Sequence, residues 1–153
     1  DYFNSLCFIP VAVSYEFDPN DLFKANELHA IETHQEYIKT DKEDLNSIAN
    51  GISGQKGLVN LNIGSPINFI DNSYEACANL ISRSILDLYE LQPSNFAACQ
   101  LQNIKYTLDC NFSKDQINFA KDYLENRTRG LEAGIKALLL QQYSNPVIQK
   151  EAL

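Results

Sequence analysis

The 153-residue sequence contains no methionine, and it has no apolar run of about 18 residues. Because Met is missing even from position 1, we expect that an initiator was removed or that the chain was cut from a longer protein. Asp1 has no basic neighbours, so we expect no secretory signal at this end. The lack of a long apolar run predicts no transmembrane helix.

Positive charge is also scarce. Twelve Lys and Arg face twenty Asp and Glu, which gives a formal charge of −8. This balance argues against a nucleic-acid backbone as a partner and against purely electrostatic docking on anionic lipid. Hydrophobic residues make up 44% of the chain, enough for the packed core of one domain of roughly 100–200 residues.

Neither the cysteines nor the histidines form a metal-binding motif. None of the four cysteines belongs to a C-x-x-C pair, which removes the usual zinc and thioredoxin-like signatures. Cys7, Cys77 and Cys99 lie among apolar residues and are predicted to be small core side chains in a reducing, cytoplasmic compartment. His29 and His34 would lie about 140° apart on a helix, so we expect surface histidines and no metal site.

Two segments have the character of strands. The apolar run 8–15 predicts a strand buried on both faces, as in a parallel sheet covered by helices. Segment 58–63 alternates apolar and polar residues, which predicts a strand nearer an edge. The long connection between them fits a parallel crossover. We therefore predict an α/β fold with few strands and a predominantly helical second half, in which an exposed edge of the first strand permits self-association.

Capping residues and apolar periodicity predict the helices. The first helix is predicted to open at Asp18-Pro19. A second helix is predicted to start at a Thr40-x-x-Glu43 capping box and to end at Gly51, with Leu45 and Ile48 on its buried side. Others are predicted at 72–91, at 96–101 and from Ser113 to an Asn145-Pro146 stop, with a break at Gly130 and Gly134. We divide the chain into strands and crossover helices at 1–70 and a helical extension at 71–153, and we expect the two parts to form one structural unit.

Two local features have both a functional and a structural interpretation. Gly51, Gly54 and Gly57 follow a predicted helix and precede a predicted strand, whereas a phosphate-binding loop follows a strand and opens a helix. Turn geometry therefore explains these glycines, although Lys56 beside them can pair with an anionic ligand. Glu16 and Asp18 follow the first strand, where ligands bind in open α/β sheets; they are either site carboxylates or helix-entry residues. The sequence contains no complete catalytic constellation.

The first strand also carries a family resemblance. Phe8-Ile9-Pro10-Val11-Ala12-Val13-Ser14-Tyr15-Glu16-Phe17-Asp18-Pro19 resembles the last conserved block of glycerol-phosphate and lysophosphatidate acyltransferases, in a bacterial subgroup. Gly54-x-Lys56-Gly57-x-Val59 with Gly64-x-Pro66-Ile67 is similar to that family's later strand. Tyr89-x-Leu91-x-Pro93-x-Asn95-Phe96-x-Ala98 and Tyr143-x-Asn145-Pro146 resemble its C-terminal helical extension. The resemblance spans most of residues 8–149.

The resemblance implies the C-terminal portion of a glycerolipid acyltransferase-like fold. It implies acyl transfer from acyl-CoA or acyl-carrier protein to a glycerol-phosphate-type acceptor in phospholipid synthesis, without a resident cofactor. It also implies a cytoplasmic protein that is peripheral to the inner membrane when full-length. The family's general base lies in a His-x-x-x-x-Asp motif that is absent here, so we expect no activity from this chain alone.

The predicted substrate-binding residues are Pro10, Val11, Tyr15, Glu16 and Lys56. Pro10 and Val11 match the family's strand near the acceptor pocket. Two alternatives remain open: a non-enzymatic interaction module that uses the apolar faces of helices at 73–91 and 114–143, and a small α/β enzyme that uses Glu16 and Asp18.

Overall fold

The computed structural model describes residues 2–34, 37 and 42–153. The described part of the chain is a mostly helical α/β fold, as predicted. The Thr40 cap and most of the loop before Lys42 lie outside the described residues. The elements are α1 (Tyr2–Ser5), β1 (Val11–Tyr15), α2 (Asp21–Glu32), α3 (Glu43–Ser53), β2 (Val59–Ile63), α4 (Tyr74–Leu88), α5 (Pro93–Leu101), α6 (Lys114–Arg127) and α7 (Ala133–Glu151).

The two strands pair antiparallel, so the prediction of a parallel crossover is wrong. Val11 lies opposite Ile63, and Tyr15 lies opposite Val59. The connection is long and helical, as expected, but a connection of this length returns the chain in either direction. The described residues form one sheet of two strands.

The sheet exposes its apolar side chains. Residues two apart on a strand share a face, and opposite pairs of an antiparallel ladder share it too. One face therefore carries a set that we call the outer sheet face: Val11, Val13, Tyr15, Val59, Leu61 and Ile63. Their side chains are 39% (Tyr15) to 66% (Ile63) exposed. The prediction that β1 is buried on both faces is wrong, since only its small residues Ala12 and Ser14 are buried.

Four helices hold the core. Buried side chains of α2, α5, α6 and α7 form one cluster, which includes Ala25, Phe96, Leu124, Leu139 and Val147. Beside it, the fully buried Phe17 stacks on Tyr123 with ring centroids 3.8 Å apart. The helical second half therefore packs against α2, which follows β1 directly in the chain.

The helix ends test the capping predictions. Ser113 and Gln116 form the predicted capping box of α6. The predicted break at the glycines is confirmed, because α6 ends at Arg127 and α7 begins at Ala133. The predicted stop at Asn145-Pro146 is wrong. Pro146 removes one backbone donor, but α7 continues to Glu151, and the residue after the proline, Val147, is fully buried.

Two predictions of buried side chains are also wrong. Leu45 and Ile48 of α3 are 68% and 60% exposed. The opposite, polar side of the helix meets α2, where Asn20 Nδ2 donates to Ser47 O at 3.1 Å. Periodicity locates an apolar stripe but does not say what the stripe faces. Cys7 is exposed in a left-handed turn (φ 50°), whereas Cys77 and Cys99 are buried as predicted.

Candidate functional site

The predicted site residues lie at both ends of β1. Pro10 and Val11 are at its start, and Tyr15, Glu16 and Lys56 are at or beside its end. Four residues of strand, at about 3.3 Å each, place the two groups roughly 13 Å apart. A small ligand therefore cannot contact both groups, and the end with Tyr15 is the one that also holds a cavity.

Glu16 and Lys56 both make structural contacts. Glu16 is 8% exposed, and its Oε2 accepts a hydrogen bond from Leu58 N at 3.1 Å. Lys56 Nζ donates to Ile52 O at 3.3 Å and to Gly54 O at 3.1 Å. This places a cation at the carbonyl end of α3, where the helix dipole favours it. Both residues therefore help to fix the turn that leads into β2.

A small cavity opens beside the end of β1. It has a volume of about 110 Å³. Its lining consists of Val13, Tyr15, Asp18, Tyr89, Asn95, Gln142 and Tyr143. Tyr15 and Asp18 are candidate site residues from the sequence. The structure places them beside Asn95 of α5 and Gln142 and Tyr143 of α7, which the sequence did not assign to a site. Burial and the negative charge of Asp18 raise the pKa of Tyr89.

A buried charged cluster lies behind this cavity. Asp21 is fully buried, and Arg127 Nε and Nη2 donate to its Oδ1 at 2.9 and 2.7 Å. Tyr143 Oη donates to Asp21 Oδ2 at 2.9 Å and accepts from Asp18 N at 2.9 Å. Burial and the Asp21 carboxylate raise the pKa of Tyr143, and the bond with Asp21 raises the pKa of Arg127.

The cluster is a structural contact that joins α2, α6 and α7. Asp21, Arg127 and Tyr143 satisfy one another, and neither the guanidinium nor the phenol is shifted toward proton transfer near neutral pH. At the first position of α2, Asp21 is locally suited only to favour the helix dipole. Its partners come from positions more than 100 residues away, which no local pattern could indicate.

Polar side chains also join the sheet to the helices. Gln92 Nε2, just before α5, donates to Ser14 Oγ at 3.1 Å and to Asn60 Oδ1 at 2.8 Å. Asn62 Nδ2 donates to Leu88 O at 2.8 Å. The face of the sheet that meets the helices is therefore small and polar.

The free edge of β1 borders the outer sheet face. Gly64 N donates to Pro10 O, and Glu16 N donates to Leu58 O, so the even-numbered residues of β1 bond to β2. The backbone groups of Val11, Val13 and Tyr15 then point to the opposite edge. No strand in the described part of the chain pairs there.

Within residues 2–34, 37 and 42–153, no group of three or more His, Cys, Asp or Glu side chains is arranged to hold a metal. No helix there is long and apolar enough to cross a bilayer. His29 Nε2 lies 3.3 Å from Glu132 Oε1, between α2 and the start of α7. Comparison with protein-family models, curated proteins and solved structures finds no significant match to this chain.

Proposed function

We propose that this chain supplies the strand pair and the covering helices of a glycerol-phosphate-type acyltransferase. The complete enzyme moves an acyl group from acyl-CoA or acyl-carrier protein to a hydroxyl of a glycerol-phosphate-like acceptor. The catalytic base lies on polypeptide that packs over the outer sheet face. The block from Phe8 to Pro19 that resembles this family falls on β1 and on the turn into α2.

The observation that carries the proposal is the orientation of the sheet. A sheet in a finished domain buries its apolar face against another layer. Here the six apolar side chains of the outer sheet face are exposed, while Ser14 and Asn60 face the helices. A strand pair with this distribution lacks a layer, and a catalytic segment that packs on it would complete the domain.

The interaction-module alternative is less well supported. One of the surfaces that it requires is the apolar side of the helices at 114–143. Ile117, Leu124 and Leu139 on that side are at most 7% exposed, because they form the core of this chain. The Glu16 alternative is weakened by the bond between Glu16 and Leu58, which engages the carboxylate in closing the ladder.

The test is an acyl-transfer assay of two proteins, with labelled acyl-CoA and acyl-carrier protein as donors and glycerol phosphate and its monoacyl form as acceptors. We expect no turnover from the 153 residues alone. We expect turnover from the product of the complete reading frame at the native locus, with a His-x-x-x-x-Asp motif whose His→Ala variant is inactive. A complete product without that motif, or without transfer, would refute the proposal.

A matched pair of variants tests the role of the outer sheet face. Leu61 and Ile48 are 62% and 60% exposed, but only Leu61 lies on the outer sheet face, and neither lines the cavity beside β1. In the complete product, we expect Leu61→Asp to reduce activity at least tenfold, because a charge would be buried under the covering layer. Ile48→Asp should leave activity within twofold of the parent. Equal effects would show that the face is not covered.

A further inference from the structure

The cavity at the end of β1 has a lining with the chemistry of a cation site. One carboxylate, three tyrosines and two carboxamides line it, and no Lys or Arg does. Tyrosine rings and a carboxylate are the groups that attract an organic cation. The chain as a whole carries a formal charge of −8, which adds to a negative potential at the cavity.

Among the described residues, no Lys, Arg or His side chain forms an ion pair with Asp18. The other carboxylate close to the cavity, Asp21, is paired with Arg127 at 2.7 Å. The partial positive charge at the start of α2 is met by Asp21 Oδ1, which accepts from Leu22 N, and by Asp18 Oδ1, which accepts from Asn20 N. For Asp18 Oδ2 the structure records no partner among the described residues.

The remaining hydrogen-bonding capacity favours a ligand that donates. Asn95 Nδ2 donates to Tyr143 O and Asn95 Oδ1 accepts from Gln92 N, so the oxygen and one of the two N–H donors of this amide are engaged. Gln142 Nε2 donates to Asp21 O and Leu138 O, which leaves its Oε1 as an acceptor. An ammonium or guanidinium group has only donors and is complementary to Asp18 Oδ2 and Gln142 Oε1.

The size of the cavity suits a small group. A volume of about 110 Å³ is small beside the ~300–1,000 Å³ of pockets that bury a whole drug-sized ligand. It fits the head of one alkylammonium or guanidinium ion. We propose that this cavity binds a single organic cation, either a free alkylamine or the side chain of a Lys or Arg on another polypeptide, with Asp18 as its counter-ion.

The test is a titration of the whole 153-residue chain followed by two-dimensional amide NMR. The probes are n-butylammonium and an acetylated, amidated Gly-Lys-Gly peptide, which carry the same ammonium head, and the controls are n-butanol, butyrate and sodium chloride at equal ionic strength. We expect saturable shifts centred on Tyr15, Asp18, Tyr89 and Gln142 with either cation. Tighter binding of butylammonium indicates a free amine as the ligand, and tighter binding of the peptide indicates a side chain.

Variants connect the binding to the carboxylate. Asp18→Asn keeps an oxygen that accepts from Asn20 N but removes the charge, and we expect it to weaken cation binding at least tenfold. Asp122→Asn removes an exposed carboxylate of α6 that does not line the cavity, and it should bind like the parent. The proposal is overturned if n-butanol or sodium chloride gives the same shifts, if no cation saturates, or if Asp18→Asn binds as well as the parent.

Discussion

Tyr143→Phe removes one oxygen atom from the buried cluster and keeps the ring. That oxygen donates to Asp21 Oδ2 and accepts from Asp18 N, each at 2.9 Å. Asp21 is fully buried, so water cannot easily replace its bond with Tyr143. The variant therefore leaves one buried carboxylate oxygen without a partner and removes the acceptor of a half-buried backbone N–H.

The expected cost follows from these two bonds. A hydrogen bond to a charged group contributes about 1.5–3 kcal/mol, and a buried group left unpaired costs about 1–3 kcal/mol. Because these terms overlap, we expect the free energy of unfolding to fall by about 2–4 kcal/mol, out of the ~5–15 kcal/mol of a typical domain. With a urea dependence of about 2 kcal/mol/M, the unfolding midpoint should fall by roughly 1–2 M.

The assay is urea unfolding followed by circular dichroism. Tyr74→Phe is the matched control, because Tyr74 is 85% exposed and the same atom is removed at the surface. We expect the control to stay within about 0.5 kcal/mol of the parent. If Tyr143→Phe were as stable as Tyr74→Phe, the cluster would not stabilise the packing of α2 against α7, and the reasoning would be refuted.

Three further predictions concern single residues. Gly57→Ala should lower the free energy of unfolding by at least ~2 kcal/mol in thermal unfolding, because φ is +63° and an added Cβ would lie 2.5 Å from Glu16 Oε2. The control Gly130→Ala, at φ +77° with open space around it, should lower it by only ~1 kcal/mol. Equal losses of stability would contradict the proposed clash with Glu16. Burial, with the negative charge of Glu151, raises the pKa of Cys99 to about 11, so a thiol reagent at pH 8 should label the exposed Cys7 first and Cys99 only on unfolding. Two backbone N–H groups of the α5–α6 loop donate to Glu151 and lower its pKa below the ordinary 4.5. The stabilisation from these bonds is present above pH 4.5 and is lost as pH falls through the lower pKa of the folded state. The Tm difference between the parent and Glu151→Gln should therefore shrink below pH 4.5, and a pH-independent difference would argue against these bonds.

The elements were more predictable than their arrangement. Ser113 with Gln116 located the start of α6, because a cap is a local interaction. The strand direction was not predictable, since apolar alternation is the same for parallel and antiparallel partners. The exposure of Leu45 was missed because a stripe identifies a face of α3 without identifying its neighbour.

The candidate site was predicted only in part. Tyr15 and Asp18 follow directly from the position at the end of β1, and both line the cavity. The other lining residues, such as Tyr89 just after α4 and Gln142 in α7, come from far along the chain. Their approach depends on tertiary packing, which the sequence patterns do not encode. The resemblance to acyltransferases and the substrate-binding roles of Pro10, Val11, Tyr15, Glu16 and Lys56 stay predictions.

The polar contacts of Gln92 have a consequence for how the two strands are aligned. A one-residue slip of a strand normally moves its apolar side chains from the core into water, and that penalty fixes the alignment. Here the apolar side chains are exposed already, so burial gives only a weak preference. Ser14 and Asn60 lie opposite each other, and one carboxamide bonds to both. A slip would break that three-way contact, so Gln92 sets the alignment of β1 and β2 without help from an apolar layer on the outer sheet face.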